Sequence, residues 1–335
     1  CKSCWIRARA ELRAHSLETT SNSASKKGMP VELPKVAVLL AAYNGMQWIE
    51  EQLTSILGQS AVDVTVYISI DPSTDGTEAW CVAYAAQHSG VFVLPQDGRF
   101  GGASRNFFRL IRDVDFDGYD FIAFADQDDI WHADKLLRAT QAVQSHQVDA
   151  YSSNVTAFWS SGKTHLLDKA QPQVAWDFLF EAAGPGCTYV FSKKLVASMK
   201  TSMLATWPAL QDVSLHDWYC YAFARSHGYR WYIDPVPSMS YRQHERNQVG
   251  ANTGLSPLIS RYKKIHDGWW FHQVQLITGL VGLGAEPFVK VWLQLGRWQL
   301  IKLSFSAWKC RRRVRDKVFF FCICWATALI GNKAK

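Results

Sequence analysis

Three carboxylates crowd one short stretch of this chain. Asp126, Asp128 and Asp129 fall within four residues, directly after the apolar run Phe121-Ile122-Ala123-Phe124-Ala125. Such a run reads as a buried strand. Acids at its carboxyl end lie where an open α/β sheet places its ligand crevice. Acids this close repel one another unless a cation or protons intervene. A divalent metal with oxygen ligands is the economical explanation. Taken alone, the D-x-D pattern reads first as an acidic turn capping the helix that begins near Ala133. It is not an EF-hand loop, because Trp131 stands where that loop needs glycine. Two further carboxylates carry candidate chemistry. Asp71 stands at the tip of the run Val64–Ile70 and faces the same crevice. Asp217 opens an aromatic-rich helix running from Ser214 to about His227; read by itself, it caps that helix. Arg242, His244 and Arg246 share one polar loop and could contribute charge to an anionic group.

The elements that must position these residues come in a regular order. Val36–Ala41 reads as a first buried strand, ending in Ala42-Tyr43-Asn44-Gly45. A helix comes next, with Ile49, Leu53, Ile56 and Leu57 on one face and Gly58 as its stop. Val64–Ile70 is a second strand, rich in β-branched residues, and runs through Asp71–Thr77 into a helix reaching about His88. A short third strand, Val91–Leu94, precedes the Gly-rich turn Gly98–Asn106, whose glycines admit close approach of a ligand. Its spacing fits neither the Rossmann fingerprint nor the P-loop. Three strand–helix units before the acids predict a parallel, nucleotide-binding half-sheet. Farther on, Ala133 to about Ser145 reads as helix, Asp149–Trp159 as strand, and Gly184-Pro185-Gly186 as a turn entering another strand.

Composition adds a boundary at each end. Residues 1–34 read as a basic arm and flexible linker, 35–250 as an α/β domain, and 251–335 as a basic, aromatic-rich helical extension. The charged stretch Cys1–Ser25 does not read as a secretory signal. Net charge is +7 over 335 residues, and from Lys290 to Lys335 there are eleven Lys or Arg against one acid, Asp316. Within that tail Val318–Ile330 is an uncharged apolar run of thirteen residues, about 20 Å as a helix and short of a hydrocarbon core of about 30 Å. A helix lying on an anionic membrane surface is the favoured reading, on the cytoplasmic face. The eight cysteines have no paired zinc spacing and read as buried free thiols.

Taken together and in order, Leu40-Ala-Ala-Tyr-Asn-Gly45, Ile70-Asp-Pro-Ser-Thr-Asp-Gly-Thr77, Asp126-Gln-Asp-Asp-Ile-Trp131, Gly184-Pro-Gly186, His216-Asp-Trp218 and Tyr241-Arg-Gln-His244 resemble the family-2 inverting glycosyltransferases. Among these the chain looks most like bacterial rhamnosyltransferase-type enzymes of cell-surface polysaccharide assembly, over about residues 35–250. The resemblance implies a GT-A fold, with a mostly parallel central sheet flanked by helices, and a nucleotide-diphosphate sugar donor: dTDP-rhamnose first, a UDP-sugar second. It implies a saccharide or lipid-linked glycan acceptor. Ala41 and Tyr43 would line the base and ribose, Asp71 would hydrogen-bond the pyrimidine, and Arg105, Asn106 and Gln127 would lie near the nucleotide. Asp126 and Asp128 match the D-x-D that holds Mg²⁺ or Mn²⁺, with His244 a further ligand and Arg246 beside the diphosphate. Asp217 matches the catalytic base. Ile70-Asp71-Pro72 departs from the commoner Asp-Asp-Gly, and His216 stands where Glu is frequent.

Two other classes fit parts of the sequence. A sugar-phosphate nucleotidyltransferase can also carry a D-x-D-like site, but its Gly-rich, Lys/Arg-containing first loop is replaced here by Ala42-Tyr43-Asn44-Gly45. A non-catalytic basic binding protein would use the tail on nucleic acid. The adjoining apolar run favours lipid, and nucleic acid is not expected as a partner.

Overall fold

The computed structural model describes residues 32–244 and 268–330. The expected N-terminal arm and Arg246 lie outside the described residues, as do Cys1 and Cys4.

The chain from β1 (Lys35–Ala42) runs through α1 (Ile49–Leu57), β2 (Asp63–Ile70), α2 (Thr77–Gln87), β3 (Val91–Val93) and α3 (Ala103–Asp113) to β4 (Phe121–Ala125). Every residue of β4, and all of β1 after Lys35, is buried. Their unbroken apolar runs suit strands covered on both faces. Next come β5 (Ile130–Trp131), α4 (Lys135–Ser145), β6 (Ala150–Ser153), β7 (Val155–Trp159), β8 (Thr164–Leu167), β9 (Val190–Ser192), α5 (Lys193–Ala205), α6 (His216–Ser226), β10 (Trp231–Asp234) and β11 (Met239–Gln243).

Seven strands form the main sheet in the order β10-β6-β9-β4-β1-β2-β3. β1 pairs in parallel with both β2 and β4, so the chain reverses its direction of growth beside β1. That is a topological switch point, and its crevice opens at the carboxyl ends of β1 and β4. β9 alone in this sheet runs antiparallel, between β4 and β6. A second sheet, β5-β11-β7-β8, stands beside it. β5 starts directly after the acids, and its antiparallel partner β11, which ends at Gln243, brings His244 against them.

One expected element divides in two. Asp149–Trp159 is not a single strand: it breaks at Asn154, with β6 in the main sheet and β7 in the second. Asn154 makes the corner. Its amide nitrogen donates to the Pro235 carbonyl at 2.9 Å, and its Oδ1 accepts from the Lys169 amide at 2.6 Å.

The C-terminal elements α7 (Trp269–Leu280), α8 (Arg297–Ser304) and α9 (Val314–Ile330) add a helical layer. Phe180 seats it, with ring centroids 6.0 Å from Trp270, 5.3 Å from Trp292 and 5.1 Å from Phe320. The apolar run Val318–Ile330 lies in α9, and Phe320, Ile323, Cys324 and Ala328 are buried in the main core. Among the described residues no helix is long and apolar enough to cross a membrane. Of the six described cysteines, five are buried free thiols and Cys322 is an exposed one.

Charge locks this layer in place. Arg312 is buried, 3.6 Å from both Asp177 and Glu181, and donates to the Ala182 carbonyl at 2.7 Å. Burial pushes the Asp177 carboxyl up, and Arg312 and Arg225 oppose that shift. Removing one partner leaves a buried charge uncompensated. Arg312→Ala is therefore expected to lower unfolding free energy by about 3 kcal/mol, read from urea denaturation.

Candidate active site

The floor of the crevice is a lattice of side chain to backbone bonds. Gln127 accepts from the Tyr43 amide at 2.7 Å and donates to the Tyr43 carbonyl at 2.8 Å. This two-way pair ties the D-x-D segment to the end of β1. The adjoining loops are sewn together as well. The Gly45 amide donates to the Thr77 hydroxyl at 2.8 Å, the Met46 amide to Asp75 at 3.0 Å, and the Thr74 amide to the Asn44 side chain at 2.8 Å. Burial would raise the Asp75 carboxyl, but the Thr77 hydroxyl and the Met46 and Thr77 amides outweigh it and hold it below the usual range.

Gly45 is required for this closeness. A Cβ there would sit 2.7 Å from the Gln127 Cδ. Gly45→Ala is expected to part the Gln127–Tyr43 pair and lower stability by about 1–3 kcal/mol, measured as a shift in thermal midpoint.

Asp71 is buried, and both of its oxygens are engaged: the Phe100 amide donates at 2.7 Å and the Gly101 amide at 2.8 Å. It thus anchors the Gly-rich turn; each oxygen keeps a second lone pair for a ligand donor. Arg109 braces the same turn, donating to the Pro95 carbonyl and to the Ser69 hydroxyl (2.8 Å) and lying 5.4 Å from the Phe100 ring centre. Tyr43 stands out at the mouth, 50% exposed, while Ala41 lies below it in β1. Arg105 is exposed and donates to the Gln211 carbonyl at 2.8 Å. Asn106 is buried and donates to the Ser69 carbonyl at 3.0 Å, binding α3 to β2.

The three acids after β4 part company. Asp128 meets the His244 Nε2 at 2.8 Å, and the His244 ring stacks on Trp48 with centroids 4.1 Å apart. Arg242 holds the Asp128 carbonyl through its Nε at 2.8 Å and reaches Glu51 of α1. Asp129 turns inward, fully buried, and accepts from the Arg242 amide at 3.0 Å. Asp126 keeps part of its surface open at the crevice. Ligand atoms of Asp126, Asp129 and Cys187 lie within 4.8 Å of one another. Burial and the neighbouring Asp128 raise Asp126 to about 7, with Asp217 adding to the rise. Burial and the neighbouring Asp128 and Asp126 push Asp129 well up.

Beneath them lies Lys135. Its Nζ sits 3.6 Å from the Trp131 ring centre, and the side chain is fully buried. Burial lowers it to about 7, against the pull of Cys187 and Asp129. Sequence reasoning did not single out Lys135, Cys187, Trp48 or Glu51. Lys135 opens a helix and carried no local signal, because its partner Trp131 lies in the preceding strand β5. Cys187 comes directly after Gly184-Pro185-Gly186, but nothing in its spacing ties it to residues some sixty positions earlier.

Asp217 begins α6 on the opposite wall. Its own Trp218 amide donates to Oδ1 at 2.8 Å, and the Trp218 indole is fixed on the Phe178 carbonyl at 3.0 Å. The Asp217 carboxyl keeps some exposure yet is walled in by protein. That burial raises it to about 6, opposed by the Trp218 amide and Lys169. His216 beside it stacks on Phe107 at 4.0 Å, and burial lowers it to about 3, so its imidazole is neutral. A Cβ on Gly186 would lie 2.5 Å from the His216 Nε2 and 3.2 Å from the Asp217 Cβ. Glycine here lets α6 approach the D-x-D side of the crevice.

The crowded carboxylates fit a hard divalent cation. Burial, and after it the repulsion of neighbouring acids, pushes Asp126 and Asp129 up, a strain that a bound cation would relieve. The oxygen donors suit Mg²⁺ or Mn²⁺.

A switch-point crevice at a D-x-D, with a recessed carboxylate nearby on this α/β sheet, is the arrangement expected of a GT-A glycosyltransferase. The family model for Glycosyl transferase family 2 matches residues 37–186. The chain is 44% identical over 281 residues to the dTDP-rhamnosyl transferase RfbG of Shigella flexneri, covering 84% of this chain and 96% of that protein. The chain belongs to glycosyl transferase family 2. More distantly, it is 30% identical over 146 residues to a putative glycosyltransferase, EpsH, of Bacillus subtilis (strain 168), covering 42% of this chain and 40% of that one. Among solved structures, S. aureus TarS superposes with a TM-score of 0.52 at 13% identity, over 90% of this chain and 93% of that one, a likeness of fold.

Proposed function

We propose that this enzyme transfers rhamnose from dTDP-rhamnose, with a UDP-sugar the second donor to consider, to a hydroxyl of a growing cell-surface polysaccharide or lipid-linked glycan. The donor rests on the 44% identity to a dTDP-rhamnosyl transferase across nearly all of that protein's length. One observation supports the mechanism: a Cβ on Gly186 would lie 3.2 Å from the Asp217 Cβ, and the next residue, Cys187, has its ligand atom within 4.8 Å of those of Asp126 and Asp129. In this reading the metal-type acids and the candidate base serve one cleft.

In this reading Tyr43 stacks on the base, with Ala41 beneath it. Asp71 receives the pyrimidine while anchoring the Gly-rich turn, and Gln127, Arg105 and Asn106 keep the surrounding walls in register. Arg246 meets the diphosphate. Asp126 and Asp128, with His244 beside Asp128, would hold Mg²⁺ or Mn²⁺, which would neutralise the departing diphosphate. Asp217 takes the proton from the acceptor hydroxyl as its oxygen attacks the anomeric carbon. The bond to the diphosphate breaks with its electron pair on the diphosphate oxygen, so one displacement inverts the anomeric centre. A carboxyl raised to about 6 is ionised at neutral pH yet more basic than an ordinary aspartate. We place the enzyme on the inner face of the cell membrane, supported by the basic tail.

A panel of nucleotide sugars, assayed for Mn²⁺-dependent release of nucleoside diphosphate, tests the reading. dTDP-rhamnose is expected to turn over fastest. Preference for a different sugar would remove the donor assignment, and pyrophosphate release from a nucleoside triphosphate would replace the reaction itself.

A further inference from the structure

Helix α9 is apolar on two faces, and among the described residues only one of them is covered. Phe320, Ile323, Cys324 and Ala328 are buried against the domain. On the other side Val314 (67%), Val318 (50%) and Leu329 (73%) are exposed, along with Cys322, and Trp325 is half-buried. At 3.6 residues per turn these five side chains fall within an arc of about 80°. They form one outward stripe along the helix.

The stripe continues onto neighbouring elements. Trp298, Phe305 and Trp308 are 77%, 71% and 58% exposed. Phe305 packs edge-on against Phe321 of α9 at 5.8 Å, and Lys317 of α9 lies 5.8 Å from the Trp308 ring centre. Exposed cations surround them: Arg297, Lys302, Lys309 and Arg315. From Val291 to Ile330 the sequence has eight Lys or Arg and one acid, Asp316. That acid is turned toward Arg311 and Arg315, at 3.8 and 3.6 Å. An apolar patch of this kind marks an interaction surface.

We infer that this face is where the enzyme lies on an anionic bilayer, with α9 parallel to the membrane plane and Trp298, Phe305 and Trp308 set at the headgroup level. Exposed tryptophan and phenylalanine ringed by lysine and arginine match the chemistry of such an interface. A second copy of this chain fits poorly, because symmetric pairing would press like charges together. The inference rests on the reading that the acceptor is membrane-borne, and gives it a geometry. Inside the surface, Phe320 touches Trp270 at 5.9 Å, and Trp270 stacks on Trp218, the residue after Asp217, at 6.4 Å. A single aromatic layer thus backs the base helix against the docking helix, and the acceptor wall of the cleft is held at the lipid surface.

Co-sedimentation of the full chain with two kinds of vesicle tests this: phosphatidylcholine alone, and phosphatidylcholine mixed with phosphatidylglycerol. Wild type is expected to bind the mixed vesicles, less so at high salt, and the triple variant Trp298→Ser/Phe305→Ser/Trp308→Ser at least ~10-fold more weakly. The double variant Lys302→Glu/Lys309→Glu changes only exposed residues and carries the test even where the triple variant misfolds; it too should lose mixed-vesicle binding. Wild-type indifference to phosphatidylglycerol would overturn the inference. So would unchanged binding by the double variant, or a wild-type dimer that the triple variant turns into monomer without any vesicle binding. Turnover of dTDP-rhamnose in solution separates the two claims. Vesicle binding with no dTDP release sinks the donor reading and upholds the surface, whereas dTDP release with no vesicle binding does the reverse.

Discussion

Replacing Asp217 with asparagine is expected to lower kcat about 10³-fold, within the range a positioned general base contributes, and to leave KM for the nucleotide sugar little changed. Asparagine preserves shape and still accepts from the Trp218 amide, so the loss reports the proton acceptor and not the wall. The pH profile gives an independent check. Burial raises this carboxyl to about 6, and only the ionised form accepts a proton. Wild-type kcat/KM should therefore fall as pH drops through about 6, and the residual activity of the variant should lose that limb. Stability moves the opposite way. A carboxyl whose folded pKa is raised destabilises the fold as pH climbs from its unfolded value toward the folded one, and the cost persists above both. Asp217→Asn is thus expected to be more stable than wild type at pH 7, by on the order of 1–3 kcal/mol. An inactive but stabilised variant separates a catalytic role from a structural one.

Asp128→Ala is expected to abolish transfer, with a loss of at least about 10³-fold, while the circular dichroism spectrum stays that of wild type. Asp128 is buried but lies in neither apolar core cluster and bonds His244 at 2.8 Å, so its removal opens no large cavity. Metal linkage supplies the sharper readout. A ligand that binds only the folded state stabilises it by about 2.7 kcal/mol at one hundred times its dissociation constant. Wild type should melt higher with added Mn²⁺ or Mg²⁺, and Asp128→Ala should not respond. Retention of wild-type turnover by the variant would contradict the assignment.

Much of this site could be read along the chain because its parts sit just past strands. Runs such as Val36–Ala41 and Phe121–Ala125 declare themselves by composition, and the residues immediately after each run must lie at one edge of a parallel sheet. Tyr43, Asp71 and Asp126 are legible for that reason. Partners that meet only after folding are not. Asp71 is held by the Phe100 and Gly101 amides, and a backbone donor leaves no mark on residue identity. Cys187 and Lys135 enter beneath the acids from β9's entry turn and from α4, and read locally as a buried thiol and a helix-surface lysine. Asn154 divides one continuous stretch between two sheets, a change of partner that sequence pattern cannot register. For Val318–Ile330, an unbroken apolar run cannot say which side finds protein; the structure covers Phe320, Ile323 and Cys324 and leaves Val318 and Leu329 outside.

If the D-x-D acids and Asp217 act across one cleft on one sugar diphosphate, crystals soaked with Mn²⁺ and dTDP will show it directly by anomalous diffraction. One Mn²⁺ peak is expected at coordination distance from Asp128, bridged to the diphosphate, with the Asp217 carboxylate facing the open side of the terminal phosphate. A peak held instead by Asp129 and Cys187, or dTDP bound away from Tyr43 and Asp71, would contradict this shared cleft.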